Sequence, residues 1–289
     1  MKSGFVNIFG PPNAGKSTLL NALLGQELAI TSPKVQTTRH RILGILTEDD
    51  YQIIFSDTPG IIQPKYKLHE KMMKQLDNAL EDTDVALLMV DINEDPKEFA
   101  ALIADLKIKG KRLLLVNKID TLPHIDQLQE RLLAFKDAVK AEHVMGISAL
   151  QKINIQPIID LILEYLPEGM PFYSEEDISD RPVRFFVSEL IRQQIYNLYD
   201  KELPYHTAVL IQSFEEKKTL TKIRADIICT RETQKMIIIG KNGEMIRKLG
   251  TRAREKIEDF LERKVFLELF VKVRPKWREN NTFLKEYGY

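Results

Sequence analysis

"FVNIFGPPNAGKSTLLNALLG", residues 5–25, decides the fold. "FVNIF" is the apolar run of a buried strand. "KSTLLNALL" is a helical pattern stopped at Gly25. The loop between them fits G-x-x-x-x-G-K-[ST] through Gly10, Gly15, Lys16 and Ser17. Glycines let the backbone curl until successive N–H groups point inward at phosphate oxygens. Asn13, Ala14 and Thr18 complete the phosphate-facing stretch. Lys16 supplies a positive charge, the Ser17 hydroxyl can ligate magnesium, and the helix aims its positive end at the same oxygens. By chance the pattern occurs in about 1% of chains this long. Here it also lies between a strand and a helix, where the chemistry needs it.

Outward from this stretch, strands and amphipathic helices alternate to residue 166. "YQIIFSD", "VALLMVD", "RLLLVNK" and "HVMGIS" read as strands. "LHEKMMKQLDNAL" places Leu68, Met72, Leu76 and Ala79 or Leu80 on one helix face, and "DQLQERLLAFKDAV" and "IQPIIDLILEYL" read likewise. This order predicts an α/β domain over 1–166, with a mainly parallel sheet flanked by helices. Residues 167–182, "PEGMPFYSEEDISDRP", carry three prolines and five acidic residues without a period, and read as a linker. Residues 183–289 read as a smaller α+β domain: a helix, a hairpin, a glycine loop, a long helix and the strand "VFLELFVKVR". In that strand Val265, Leu267, Leu269, Val271 and Val273 share a face. The aromatic tail "WRENNTFLKEYGY" is expected to dock on this second domain.

The chain has 289 residues, 44% apolar and 29% charged, with zero net charge. A single cysteine, Cys229, excludes a disulfide framework and reads as a buried hydrophobe. No apolar run is long enough to span a bilayer. "MKSGFVNIFG" runs straight into a strand pattern, so no signal peptide is expected, and the address is cytoplasmic. The charge is uneven. Residues 1–170 hold 19 Lys and Arg against 23 Asp and Glu, and Lys235–Arg278 holds 13 against 6. A net +7 block attracts polyanions: RNA, or an anionic membrane face touched peripherally.

Three further segments follow the phosphate loop in order. "DTPG" offers Asp57 to a magnesium shell and the Gly60 N–H to a γ-phosphate. "NKID" offers Asp120 to the two adjacent donors of guanine; adenine lacks that pair and would leave the carboxylate unpaired. Asn117 would fix the base edge, and the Lys118 stem would pack along the ring. "SAL", Ser148, Ala149 and Leu150, follows another strand, where a backbone N–H can meet guanine O6.

This set resembles the translation-factor-related GTPases, and "QTTRHR", residues 36–41, resembles the Era family within them. The resemblance implies GTP or GDP with magnesium held by Ser17, Thr38 and Asp57. It implies GTP hydrolysis centred on Lys16, Thr38 and Gly60. Thr37 is the alternative to Thr38, and the sequence does not separate them. His40 reads as a surface switch residue rather than a base. Ile61 stands where many switch GTPases place a glutamine, so slow intrinsic turnover is expected. Asn13 matches a pattern that in related GTPases goes with potassium, and it equally suits a plain loop.

The second glycine loop, "IIIGKNGEMIRKL", has neither the spacing nor the hydroxyl of a nucleotide loop. Periodicity alone makes "KMIII" a strand. The segment resembles the KH module, type II, which makes residues 231–239 a short helix ended by Gly240. Gly240, Lys241, Asn242 and Gly243 would then lie against an RNA backbone, with Ile239 and Ile246 as an apolar floor. Arg247, Lys248, Arg252 and Arg254 would add phosphate contacts. The resemblance covers nearly the whole chain. It implies binding of the 3′ end of small-subunit ribosomal RNA during 30S assembly, by a monomer. Two rival classes remain: a metabolic P-loop kinase with a basic tail, and a GTPase whose basic domain binds protein or membrane.

Overall fold

The computed structural model describes residues 1–124, 126–139 and 141–289. Its chain divides into two compact units: Met1–Pro64 with Lys71–Asp180, and Lys65–Glu70 with Arg181–Tyr289.

The first unit is built on a six-stranded sheet. β1 (Lys2–Phe9), β3 (Tyr51–Asp57), β4 (Val85–Asp91), β5 (Lys111–Asn117) and β6 (His143–Gly146) are joined by parallel pairings, and β2 (Ile42–Glu48) pairs antiparallel on β3. The order is β2-β3-β1-β4-β5-β6. Helices α1 (Lys16–Leu24), α2 (Lys67–Glu81), α3 (Pro96–Ile103), α4 (Gln127–Ala138) and α5 (Gln156–Tyr165) complete the α/β pattern. Strands covered on both faces need continuous apolar runs. Val85 to Val90 are all fully buried, and Leu113 to Val116 almost so. The expected helix stripe holds too: Leu68, Met72, Leu76, Ala79 and Leu80 are all buried.

Two elements go beyond those read from the sequence. β2 follows the switch segment as an edge strand, with Gly44 leaving room for the Leu24 and Leu20 side chains of α1. α3 starts at Asp95, whose carboxylate caps the Lys97 and Glu98 N–H groups, with Pro96 in the first turn.

Residues 167–182 are the stretch read as a linker. They are irregular, yet much of the stretch is fastened to the first unit. Ser3 N donates to Pro167 O at 3.0 Å, and Ile45 N to Ile178 O at 3.0 Å. The buried Gln52 amide accepts from Phe172 N and Tyr173 N and donates to Tyr173 O. One buried amide thus satisfies backbone groups that a strand partner would otherwise take. Sequence periodicity carries no trace of such a tie.

The second unit has a three-stranded sheet, β7 (Ala208–Glu216), β8 (Thr221–Cys229) and β9 (Val265–Val273), in that order; β7–β8 is antiparallel and β8–β9 parallel. Helices α6 (Val183–Leu198), α7 (Glu232–Ile239) and α8 (Glu244–Leu261) belong with it. Leu249, Ala253 and Ile257, four residues apart, are the buried stripe of α8. "MIII" is helical here, not extended, because α7 is wedged between β8, β9 and α8. The tail docks as expected: Trp277 is fully buried with its indole N–H donating to His206 O, and α9 (Asn281–Glu286) follows it. Cys229 is buried, and that burial pushes its thiol pKa up.

Candidate functional site

The first loop runs from the end of β1 into α1. Gly15 has φ +100°, a left-handed conformation that side chains disfavour. A Cβ there would also stand 2.3 Å from the Asn117 amide nitrogen. Gly10 is tighter still: its Cβ would lie 2.1 Å from Met89 O. No side chain caps α1, so its first N–H groups are left for an anion. Lys16 is buried, and its ammonium donates to Gly10 O at 3.1 Å and Pro11 O at 2.8 Å. Burial lowers its pKa to about 8, against the opposing charge of Asp57.

Beside it, three side chains converge. Ser17 Oγ donates to Asp57 Oδ2 at 2.6 Å, Thr38 Oγ1 donates to the same oxygen at 3.0 Å, and the two hydroxyls are 2.8 Å apart. Asp57 is fully buried and its Oδ1 has no hydrogen-bond partner among the described residues. Burial raises its pKa, opposed by Ser17, Lys16 and Thr38. Two hydroxyls and a carboxylate with an orphaned oxygen form the hard donor set that magnesium takes. Thr37 lies differently: its hydroxyl donates to Lys34 O at 2.8 Å. His40 is a correction, since it is buried and not on the surface. The neighbouring switch segment packs inward, so its polar residues are not where hydrophilicity alone would put them.

The "DTPG" loop closes on the first loop. Ile61 N donates to Gly10 O at 3.1 Å, and a Cβ on Gly60 would stand 2.7 Å from Pro12 N. The Ile61 side chain packs against the apolar core around β4 and β5 and presents no polar group to water.

A cavity of about 370 Å³ continues from the phosphate loop to Lys118, Asp120 and Leu150, with Asn13 and Thr18 on its wall. Asn117 ties its edges together, donating to Ala14 O at 2.8 Å and accepting from Ala149 N at 3.0 Å. Of the 148–150 segment, expected to offer a backbone N–H to guanine O6, the Ala149 N–H is engaged by Asn117. Ser148 is buried, while Asp120 and Leu150 are exposed at the cavity mouth.

Sequence reasoning missed Asp91. Its Oδ2 meets Lys118 Nζ at 2.8 Å, and its Oδ1 accepts from Asn93 N at 3.0 Å. Burial alone would raise its pKa, but Lys118 and Asn93 outweigh this and hold the carboxylate below its ordinary range. Its position at the carboxyl end of a parallel strand, where ligands gather, was the available signal. Thr31 and Ser32, which also line the cavity, had none.

The second loop joins α7 to α8. Gly240 has φ +74° and Gly243 φ +75°, with Asn242 between them also left-handed at +51°. A Cβ on Gly240 would stand 2.7–2.9 Å from Met245 atoms, including its backbone nitrogen, whereas one on Gly243 meets nothing within 4 Å. Lys241, Asn242, Arg247 and Lys248 are exposed. From Gly243 a groove of about 490 Å³ runs between α8 and β9, lined by Ile246, Arg247, Gly250, Arg254, Leu267 and Leu269. Ile246 is thus part of an apolar floor. Ile239 ends α7 just before the turn and is not among the residues that line this groove. Leu267 and Leu269 of β9 add to the floor, and Gly250 has no side chain to cover Leu269. Arg254 also bonds Glu258 at 3.0 Å.

A phosphate loop with a four-segment guanine pocket, followed by a G-x-x-G turn between helices on a three-stranded sheet, defines a P-loop GTPase joined to a KH domain. Comparison agrees. Residues 5–118 match the family model of 50S ribosome-binding GTPases and residues 202–278 that of the KH domain. GTPase Era of Clostridium kluyveri is 42% identical over 292 residues, covering 100% of this chain and 99% of that one. GTPase Era of Clostridium botulinum is 42% identical over 291 residues, covering 100% and 98%. Among solved structures, Era in complex with MgGDPNP and nucleotides 1506–1542 of 16S ribosomal RNA superposes with a TM-score of 0.96, at 37% identity and 100% and 99% coverage. A point variant of Aquifex aeolicus Era bound to GDP·AlF4− gives the same values. The chain belongs to the GTPase Era family.

Proposed function

We propose that this protein binds and hydrolyses GTP and uses the nucleotide state to govern a grip on the 3′ end of small-subunit ribosomal RNA, assisting 30S assembly. Residues 1–166 form the GTPase domain and residues 183–289 the KH domain, with 167–182 between them. The observation that carries the catalytic half is the convergence of Ser17, Thr38 and Asp57 beside the buried Lys16 ammonium. Relatives solved with MgGDPNP and 16S RNA, and with GDP·AlF4−, support both halves.

The triphosphate lies along the first loop, its oxygens met by the N–H groups of Asn13 to Thr18 and by the Lys16 ammonium. Ser17, Thr38 and Asp57 would hold magnesium, which would supply positive charge against the phosphates. Thr38 joins this set from a loop, so its engagement reports on the γ-phosphate. The Gly60 N–H serves the γ-phosphate from the other side. Asn117, Lys118 and Asp120, with Ser148, Ala149 and Leu150, hold the base, and Asp120 selects guanine. Ile61 cannot orient water, so intrinsic turnover is slow and a bound partner or other groups position the nucleophile. Asn13 suits a potassium ion as an additional fixed cation.

Gly240 to Gly243 admit an RNA backbone, with Lys241, Arg247 and Lys248 supplying charge and Ile239 and Ile246 apolar contact. The protein acts as a cytoplasmic monomer. Its basic block also suits peripheral contact with an anionic membrane face, and among the described residues no helix is long and apolar enough to cross one. The test is a nucleotide and RNA binding panel. Preference for GTP over ATP, with single-stranded RNA binding lost on Gly240→Asp with Gly243→Asp, is expected. Preference for ATP would favour a metabolic kinase, and RNA binding indifferent to the glycines would remove the clamp.

A further inference from the structure

Strand β9 has two faces, and the RNA groove uses one of them. Leu267 and Leu269 line the groove. On the same side of the sheet, Val187 and Ile191 of α6 and Ala253 and Ile257 of α8 pack on Ile223, Ala225 and Val265. Side chains alternate along a strand, so Phe266 and Phe270 lie on the opposite side. They are 51% and 40% exposed. Two exposed phenylalanines on one strand, about 13 Å apart, form an apolar surface that folding alone does not call for.

The cations around these rings are specific. The Arg224 guanidinium sits 4.5 Å from the Phe270 centroid, and the Lys222 ammonium 5.7 Å from that of Phe266. Lys222 also faces Glu268 at 3.8 Å, and Lys272 meets the buried Asp226 at 2.6 Å. Arg224 has no carboxylate within ion-pair distance among the described residues, so one exposed guanidinium sits over an aromatic ring without an acidic partner.

We infer that this outer face binds single-stranded RNA beyond the few nucleotides the G-x-x-G clamp holds; the inference rests on the RNA-binding reading above. Exposed aromatic rings interleaved with cations are the platform on which unpaired bases stack in a sequence-tolerant way. A guanidinium held over a ring by cation–π attraction can still donate N–H groups to a phosphate. A protein partner would favour a patch centre depleted of charge, whereas here the cations sit over the rings themselves. Continuity points the same way. β9 is the edge strand of the sheet, so a chain leaving the groove floor reaches Phe266 and Phe270 by crossing one strand edge. A KH clamp holds about four nucleotides, and any longer single strand needs further surface.

The experiment compares two RNAs on the full-length protein: nucleotides 1506–1542 of 16S ribosomal RNA, and a clamp-length piece of about six nucleotides from its unpaired stretch. The variants are Phe266→Ala with Phe270→Ala, and separately the exposed Arg224→Ala, which guards against a folding defect in the first. The expected result is about tenfold weaker binding of the long RNA by the double variant, unchanged binding of the short piece, and a salt dependence smaller by about one phosphate contact for Arg224→Ala. Equal affinity of wild type and variants for the long RNA would overturn the inference and leave the clamp standing. So would variants that bind the long RNA normally but lose phosphatidylserine vesicles or self-association, since the face would then belong to lipid or to a second copy. A wild type that binds neither RNA would remove the RNA-binding reading itself.

Discussion

The first glycine loop is crowded at every glycine: Gly10 against Met89, Gly15 against Asn117, and Gly60 of the facing loop against Pro12. The second is crowded only at Gly240, while Gly243 opens onto empty space. The first surrounds a buried lysine and a buried carboxylate; the second displays Lys241 and Arg247 to solvent. The difference follows from the ligand. A nucleotide is small enough to be enclosed, so its site can be dehydrated and each charge made strong. A polymer must enter and leave sideways, so its site stays open and works with backbone geometry and screened charge.

The sharpest way to break this contrast is at Asp120. Replacing it with Asn exchanges an acceptor for a donor opposite the guanine 2-amino group, whereas xanthine carries a carbonyl there. GTP affinity should fall by on the order of 10³-fold or more relative to XTP, read by competition binding. An unchanged GTP to XTP ratio would show that the cavity at Lys118 and Leu150 does not hold the base. Lys16→Ala comes next. Removing one preorganised charge should slow single-turnover GTP hydrolysis by about 10²–10³-fold, while binding of single-stranded RNA to the nucleotide-free protein stays within twofold.

Titration separates the loops as well. Lys16 has its folded-state pKa lowered to about 8 from 10.5. The unfolded chain therefore binds more protons than the folded one between those values. Stability of the nucleotide-free protein should rise with pH across that window, by up to about 3 kcal/mol, and the gain should be lost as pH falls through about 8. Urea unfolding from pH 7.5 to 10.5 checks it, with Lys16→Met as the flat control. The smallest effects concern the two KH glycines. Gly243→Ala should cost about 1–2 kcal/mol from the left-handed backbone alone. Gly240→Ala adds a clash with Met245 and should cost about 2–4 kcal/mol. Equal losses would mean that the turn relaxes around Met245.

How much of this was legible in the sequence follows the same division. The phosphate loop is read from residues 10–17 because its chemistry fixes both residue type and spacing. Strands β1, β3, β4 and β5 are read from apolar runs that burial on both faces requires. Asp91 was legible only as the last residue of a parallel strand, since its contact with Lys118 at the end of the next strand leaves no local trace. The tie between Gln52 and residues 172–173 likewise spans 120 positions with no local signal. In the second unit, the alternation in β9 placed Leu267 and Leu269 on one face but could not say that this face floors a groove. Ile239 and Ile246 are legible as apolar neighbours of the loop, whereas the share of Leu267 and Leu269 in the groove floor depends on how β9 packs beside α8. Whether "MIII" was strand or helix was beyond periodicity, because tertiary packing against β8, β9 and α8 decides it.

The measurement closest to the central claim is RNA affinity in two nucleotide states. Full-length protein is loaded with magnesium and either GDPNP or GDP, and titrated with the 3′-terminal small-subunit RNA segment. If the γ-phosphate, through Thr38 and Gly60, sets the grip of the Gly240–Gly243 loop, the two dissociation constants should differ by about fivefold or more, and Thr38→Ala should bring them together. Identical constants in both states would mean that the protein carries two independent sites and no switch.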